Sequence, residues 1–305
     1  MTSTPFPASS IFDLSGAVAL VSGGGTGIGL TAALSLASNG AKVYITGRRA
    51  EKLQEAVDHY QPSVQLSGGS LHPIQCDVSS KDDLRRAASV VQESDGLLHI
   101  LVNNAGVEGP VTKLGEDKEK LTAEEISAIH LEKERMEDWD HLFRINNHAI
   151  FFATMAFLPL LSKGNASPPK KFVKPSIWSA SVINVTSISG LVKTSQSHYA
   201  YNSSKAAANH LTQMLAYELS FSSKLNIRVN AIAPGLFATE MTAGKKSVAG
   251  KSNPEDLVGF TNPAGRVGEE TEMASIVLLL ASNNFVTGQV VAVDGGFVTA
   301  VPANH

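Results

Sequence analysis

The sequence predicts an α/β protein: one doubly wound domain whose parallel sheet has seven strands, with helices on both faces. Short apolar runs that end in glycine or turn residues recur along the chain and read as buried strands. Segments of helical periodicity separate them, and strands that alternate with helices must run parallel, joined by right-handed crossovers. No shift in composition breaks the stretch 13–300, which is therefore expected to be one domain after a flexible extension at 1–12.

The elements follow in order. "AVALVSGG" (17–24) is the first strand, and the helix after it runs through "LTAALSLASNG" to Gly40. "KVYITG" is a second strand, "AEKLQEAVDHY" a helix, "LHPIQCDV" a third strand, "KDDLRRAASVVQES" a helix and "HILVNNAG" a fourth strand. A helix over about 139–161, strand "SVINVTS", helix 200–222, strand "IRVNAIAP", helix 269–282 and strand "QVVAVDGG" complete the series. Two insertions interrupt it. Residues 113–140 are charge-rich and partly helical by pattern, with Leu121, Ile126 and Ile129 along one face. Residues 162–180 carry Pro, Gly, Ser and Lys and read as a surface loop. Ligands of such sheets bind beyond the C-terminal strand ends, so the first insertion can reach the chemistry and the second lies away from it.

Composition excludes several classes. The 305 residues are 43% hydrophobic and 17% charged, with a net charge of −3, so neither nucleic acid nor an anionic membrane is expected as a partner. The single cysteine, Cys76, permits no internal disulfide and argues against a cysteine-built metal site. Cys76 itself reads as a buried strand residue. Runs such as "AIFFATMAFLPLL" are shorter than a bilayer span, and the N-terminus shows no leader pattern. A cytoplasmic protein without a metal is the expectation.

"SGGGTGIG" (22–29) joins the first strand to the first helix. It fits G-x-x-x-G-x-G through Gly23, Gly27 and Gly29, not the G-x-G-x-x-G spacing, and lacks the lysine of a P-loop. Glycines let backbone N–H groups approach a pyrophosphate, and the helix N-terminus adds partial positive charge. The alternative is a tight strand–helix turn with no ligand. At the end of the second strand a dinucleotide sheet that binds NAD carries Asp or Glu for the ribose hydroxyls. Here Gly47 is followed by Arg48 and Arg49. A guanidinium pairs with a 2′-phosphate, which favours NADP(H). The alternative is that both arginines are solvated residues at a helix start, a reading that suits Arg49 better than Arg48.

"SHYAYNSSKAA" (197–207) holds two tyrosines and a lysine. Tyr201 and Lys205 are four apart, which on a helix puts them on one face with Cβ atoms roughly 5–6 Å apart. Tyr199 is six from Lys205 and faces elsewhere, so it is expected to line the pocket or pack beneath it. A phenol titrates near ~10, and an adjacent ammonium favours its phenolate, so the pair suits proton transfer to or from a carbonyl oxygen.

With these motifs in order, the chain resembles a short-chain dehydrogenase/reductase over roughly 13–298. The segments that carry the resemblance are "SGGGTGIG", "CDV" (76–78), "NNAG" (103–106), "IN" (145–146), "NVTSISG" (184–190), "YNSSK" (201–205), "APG" (233–235) and "VDGG" (293–296). It implies a Rossmann-type fold with Tyr201 as general acid/base and Lys205 lowering its pKa and binding nicotinamide ribose. Ser187, three before Gly190, would bond the substrate oxygen, in preference to Ser189. Asn146 would support a proton relay to Lys205, with Asn147 as the fallback.

For the cofactor, the resemblance implies contacts from Ser22, Gly23, Gly25, Thr26, Gly27, Ile28 and Gly29. Arg48, Arg49, Asp77 and Val78 would sit on the adenosine side, Asp77 also being a possible helix N-cap. Asn103, Asn104, Ala105 and Gly106 would line the cofactor, the two asparagines also tying strands together. Pro234, Gly235, Phe237 and Thr239 would hold the nicotinamide carboxamide. Ser22 replaces the usual threonine, and the stretch between "NNAG" and Asn146 is longer than usual. His148 and His198 lie near the site without partners at metal or triad spacing. The implied activity is NADPH-dependent reduction of a small ketone, or the reverse alcohol oxidation, in a homodimer or homotetramer. Residues 236–268 would form a substrate lid. The rival is an NADP(H)-binding regulator without turnover.

Overall fold

Strand β1 (Val18–Ser22) is buried at every position. A strand with no wettable face must be covered on both sides, which a parallel sheet with crossover helices provides. The computed structural model describes residues 6–115, 117–169, 177–240, 242, 250–251 and 262–301, and it shows that arrangement. With β2 (Lys42–Gly47), β3 (Ser70–Gln75), β4 (Ile100–Asn103), β5 (Ser181–Val185), β6 (Arg228–Pro234) and β7 (Val290–Val293), β1 forms one parallel sheet in the order β3-β2-β1-β4-β5-β6-β7. The chain winds outward from β1 to β3, then returns to lay β4 on the other side of β1. Such a reversal opens a crevice at the C-terminal strand ends. Pro73 sits within β3, which is the sheet's edge, where a missing N–H leaves no inner ladder bond unmade.

Alternate residues of each strand feed two cores. Ala19, Val21, Val43 and Ile45 pack under α2 (Gly27–Ala37), α3 (Ala50–Gln65) and α9 (Glu270–Ser282) through Leu36, Leu53 and Met273. Val18, Leu20, Leu101 and Val182 pack under α4 (Lys81–Ser94), α7 (Ala149–Ala166) and α8 (Tyr199–Ala216) through Val91, Phe157 and Leu215.

The differences from expectation lie mostly at element ends. Residues 1–5 fall outside the described residues, and α1 (Ala8–Ile11) puts one helical turn in the expected extension. The insertion 113–140 contains a short 3₁₀ turn, α5 (Ala123–Lys133) and the start of α6 (Met136–Phe143). A capping box between Thr122 and Glu125 starts α5, none of whose residues is buried. The expected helix at 139–161 is longer: α6 passes through a π-turn, Arg144–His148, into α7, which continues beyond Pro159 to Ala166. By length and composition alone this stretch, Met136–Ala166, is long and apolar enough to cross a membrane, and half of its most apolar 18-residue window is buried inside the protein, as in a core helix. The expected surface loop 162–180 is likewise part helix, and its end is core: Trp178 is buried, donating from Nε1 to the Gly164 carbonyl. Residues 170–176 lie outside the described residues.

Trp178 stacks edge-on against His99, 2% exposed, at the start of β4. The Val18 N–H donates to His99 Nδ1 at 2.9 Å, and Nε2 donates to the Ser167 carbonyl at 2.8 Å. The Val18 bond requires the neutral ring, because a protonated Nδ1 cannot accept, and burial holds the His99 pKa below its ordinary value. The folded chain therefore takes up a proton less readily than the unfolded chain, so the stabilisation is complete above about pH 6.5, the free-imidazole value. It is lost as pH falls below that. The melting temperature is expected to drop from pH 7.5 to 5, and less steeply for His99→Gln, whose amide oxygen can still accept from Val18. Parallel slopes for the two proteins would rule out this role.

Candidate active site

The strand–helix turn after β1 is shaped by contact. Gly29, in the first turn of α2, passes so close to the Gly23 carbonyl that a Cβ would lie 2.1 Å from its oxygen. No other residue fits without moving the turn. The turn and the C-terminal ends of β2, β4, β5 and β6 enclose a cavity of about 600 Å³, within the usual range for small-molecule sites.

Most residues singled out in the sequence line this cavity. Gly23, Gly25, Thr26, Gly27, Ile28 and Gly29 line its base, and Arg48, Arg49, Asp77 and Val78 line the end at β2 and β3. Asn104, Ala105 and Gly106 follow β4 along one wall, and Pro234, Gly235, Phe237 and Thr239 follow β6 along the other. Ser187, Tyr201 and Lys205 close the opposite end.

Three expected residues lie behind the wall instead. Ser22 is buried, and its Oγ accepts from the Asn104 and Ala105 N–H groups at 3.0 and 3.2 Å, fixing the "NNAG" backbone. Asn103 does not reach the cavity: its Nδ2 donates to Asn184 Oδ1 and Thr154 Oγ1 at 2.9 and 3.2 Å, tying β4 to β5 and α7. Its strand position points it into the core. Asn146 is 1% exposed in the π-turn, where Oδ1 accepts from the Val107 N–H and Nδ2 donates to the Val107 carbonyl. It still adjoins Lys205: a Cβ placed on Gly106 would be 3.3 Å from Asn146 Oδ1 and 3.5 Å from Lys205 Nζ.

Tyr201 lies in the first turn of α8, and Lys205 one turn on, with Nζ 5.6 Å from the centre of the phenol ring. The Ser187 hydroxyl, just beyond β5, lies near enough to Tyr201 to favour its phenolate and accepts from the Ser189 N–H at 3.1 Å. Ser189 turns outward to Gln196. The expectation that Lys205 depresses the phenol pKa is not met in the chain alone. Burial raises Tyr201 above its ordinary value, the Ser187 hydroxyl opposes this, and the Glu108 carboxylate adds to it. The reason is geometric: the Lys205 ammonium donates to the Val185 carbonyl at 3.1 Å and faces the ring. Burial pushes Lys205 itself down to about 8. The phenol is thus held in its protonated, proton-donating form at neutral pH.

Other side chains depart from the sequence reading. Tyr199 is 49% exposed and neither lines the cavity nor packs beneath it. It stacks edge-on against His130, centroids 5.4 Å apart, and so docks α5 beside the start of α8. Its two-residue offset from Tyr201 turns it away from the sheet. His198 stands next to Tyr201, ring centroids 6.4 Å apart, with Nδ1 3.9 Å from Glu108 Oε1. Asp77 is not a helix cap: it accepts from the Ser79 N–H and hydroxyl, and Ser80 caps α4. Cys76 is buried at the cavity edge with its thiol pushed up to about 11, which suits packing and not nucleophilic attack. Sequence reasoning missed Val107, Thr186 and Glu240 in the lining. Glu240 pairs with Arg49, so Arg49 is not simply a solvated helix-start residue. No local pattern announces a contact between residues 191 apart. Of the expected lid, residues 241, 243–249 and 252–261 lie outside the described residues, while Phe237 bridges to Gly268.

Comparison with known proteins agrees with this geometry. A family model described as enoyl-(acyl carrier protein) reductase matches residues 23–298. The short-chain dehydrogenase/reductase VdtF of Byssochlamys spectabilis is 36% identical, over 98% of this chain and 98% of its own length. The rhamnolipids biosynthesis 3-oxoacyl-[acyl-carrier-protein] reductase of Pseudomonas aeruginosa is 34% identical over 94% of this chain and 98% of its own. Among solved structures, the Pseudomonas aeruginosa RhlG/NADP active-site complex superposes with a TM-score of 0.73 at 32% identity, covering 95% of this chain and 99% of that one. A parallel sheet with its crevice at the β1/β4 reversal, a glycine-shaped turn beneath it and these relatives along its length together show that the chain belongs to the short-chain dehydrogenase/reductase family of oxidoreductases.

Proposed function

We propose that the protein is an NADP(H)-dependent carbonyl reductase that turns a ketone on a small organic substrate into an alcohol, with the reverse oxidation at the same site. The observation that carries this reading is the Ser187–Tyr201–Lys205 cluster at one end of a cavity whose other end holds Arg48 and Arg49. The lining fits a dinucleotide: backbone N–H groups at the start of α2 suit a pyrophosphate, and the two guanidinium groups suit a 2′-phosphate. The solved relative with NADP in its active site supports the same cofactor.

A nicotinamide held at the Tyr201 end of the cavity would supply the hydride for the carbonyl carbon. The chain's residues act on the oxygen. The Ser187 and Tyr201 hydroxyls hydrogen-bond to it and draw electron density from the carbonyl. As the carbon gains the hydride, Tyr201 Oη gives its proton to the oxygen, so the product leaves as a neutral alcohol. The Lys205 ammonium, 5.6 Å from the ring centre, offsets part of the charge on the phenolate that remains, by less than burial costs it. Asn146, fixed on Val107 beside Lys205, supports the route by which that proton is restored.

The test is NADPH consumption against a panel of ketones and keto esters, run in parallel with NADH. We expect turnover with at least one ketone and preference for NADPH. A protein that binds NADPH but consumes none across the panel would instead be a cofactor-binding regulator. The reading includes a cytoplasmic homo-oligomer, dimer or tetramer. Exposed aromatic residues on two helical segments, Phe151 and Phe152 on α7 and Tyr217 and Phe221 beyond α8, support self-association.

A further inference from the structure

Arg49 and Glu240 meet at the cofactor cavity, both lining it. Arg49 Nη2 lies 2.8 Å from Glu240 Oε2, with 53% of the arginine side chain and 19% of the glutamate exposed. Arg49 immediately precedes α3, and Glu240 sits on the segment that leaves β6. A second contact joins that same segment's return to the glycine turn. The Gly250 carbonyl accepts from the Gly27 N–H at 2.9 Å. This amide opens α2, where the helix carries partial positive charge. Between the two contacts, the Thr239 methyl lies 3.1 Å from where a Cβ on Gly27 would be. The chain thus lays a carboxylate and a carbonyl dipole on two places where the cavity presents positive charge.

Arg49 is one of the two cations at the 2′-phosphate end. A carboxylate already paired with it must yield, or repel, when a second anion arrives. NAD(H) brings no anion to that point. We propose that Glu240 is a cofactor-discriminating residue. Its carboxylate competes with the 2′-phosphate for Arg49, lowers affinity for NADP(H), leaves affinity for NAD(H) unchanged, and so narrows the preference between the two. The proposal rests on the NADP(H) reading above. It acts through Arg49, which makes Glu240 a positioning residue for the phosphate ligand and not a participant in hydride or proton transfer.

An ion pair this open sets the scale of the effect at about fivefold in affinity. The experiment is titration of the full chain with NADPH and with NADH, followed by nicotinamide fluorescence, for wild type, Glu240→Gln, Arg49→Gln and the double variant. Glu240→Gln is expected to bind NADPH about fivefold tighter and NADH within about twofold of wild type. In the Arg49→Gln background, the Glu240→Gln step should move NADPH affinity by less than about twofold, because its route is gone. Raised salt should shrink the wild-type difference. Weaker or unchanged NADPH binding by Glu240→Gln overturns the proposal, as does equal tightening toward both cofactors. If Glu240→Gln, freed of the competing carboxylate, binds NADPH no tighter than NADH, the NADP(H) reading falls and the proposal with it. A wild type that prefers NADPH without any shift in Glu240→Gln removes the proposal alone.

Discussion

Tyr201→Phe is expected to cut kcat/KM for carbonyl reduction by about 10²–10⁴-fold, the range for loss of a positioned general acid. That corresponds to about 3–5 kcal/mol of transition-state stabilisation. The substitution removes one oxygen and leaves the ring in place over Lys205. The Ser187 hydroxyl still accepts from the Ser189 N–H. The fold and NADPH binding should therefore be retained, so that titration with NADPH separates a chemical defect from a structural one. Turnover at wild-type rate in the variant would remove Tyr201 from the mechanism. The pH profile adds a second readout. Tyr201 is held protonated by burial, so acid does not limit proton donation, whereas Lys205 loses its charge through about pH 8. Without the ammonium, the phenolate formed on proton donation is left uncompensated. The kcat/KM profile for reduction should accordingly be flat near neutrality and fall above about pH 8.

The succession of strands and helices and the glycine-rich turn were legible because they follow from local rules. Periodicity separated strands from helices, and the i, i+4 spacing of Tyr201 and Lys205 placed both at one end of the cavity. What the sequence could not show depended on contacts between distant segments. Asn103 and Asn104 are neighbours in the same motif, yet one ties β4 to β5 in the core and the other faces the cavity, because successive residues at a strand's end point opposite ways. The direction of the Tyr201 pKa is a second case. Spacing brings Lys205 near, but the Val185 carbonyl takes the ammonium's hydrogen bond, and burial then dominates. The Arg49–Glu240 pair and the role of Tyr199 in docking α5 needed the tertiary structure itself.

Gly29→Ala should weaken NADPH binding on the order of 100-fold and lower the melting temperature as well. The added Cβ would lie 2.1 Å from the Gly23 carbonyl oxygen and 2.3 Å from Asn104 Nδ2. Neither neighbour can give way cheaply. Gly23 follows directly on β1, and Asn104 Nδ2 already donates to the Ser22 and Gly23 carbonyls at 3.0 and 3.2 Å. A methyl group there must shift the turn or break those bonds. Overpacking of this kind typically costs about 1–3 kcal/mol, and each buried donor left unmatched adds about 1–3 kcal/mol. The displaced backbone is the one that carries the N–H groups at the start of α2, so affinity for a pyrophosphate falls together with stability. Gly25→Ala provides the contrast. Its Cβ would meet the Leu53 side chain at 3.2 Å, a flexible neighbour that needs to move only a few tenths of an ångström. That variant should stay within about 1 kcal/mol of wild-type stability. Paired NADPH titrations and thermal melts of the two variants check the ranking. If Gly29→Ala bound NADPH as tightly as the wild type, the turn would not be the seat of the pyrophosphate, whatever its resemblance to one.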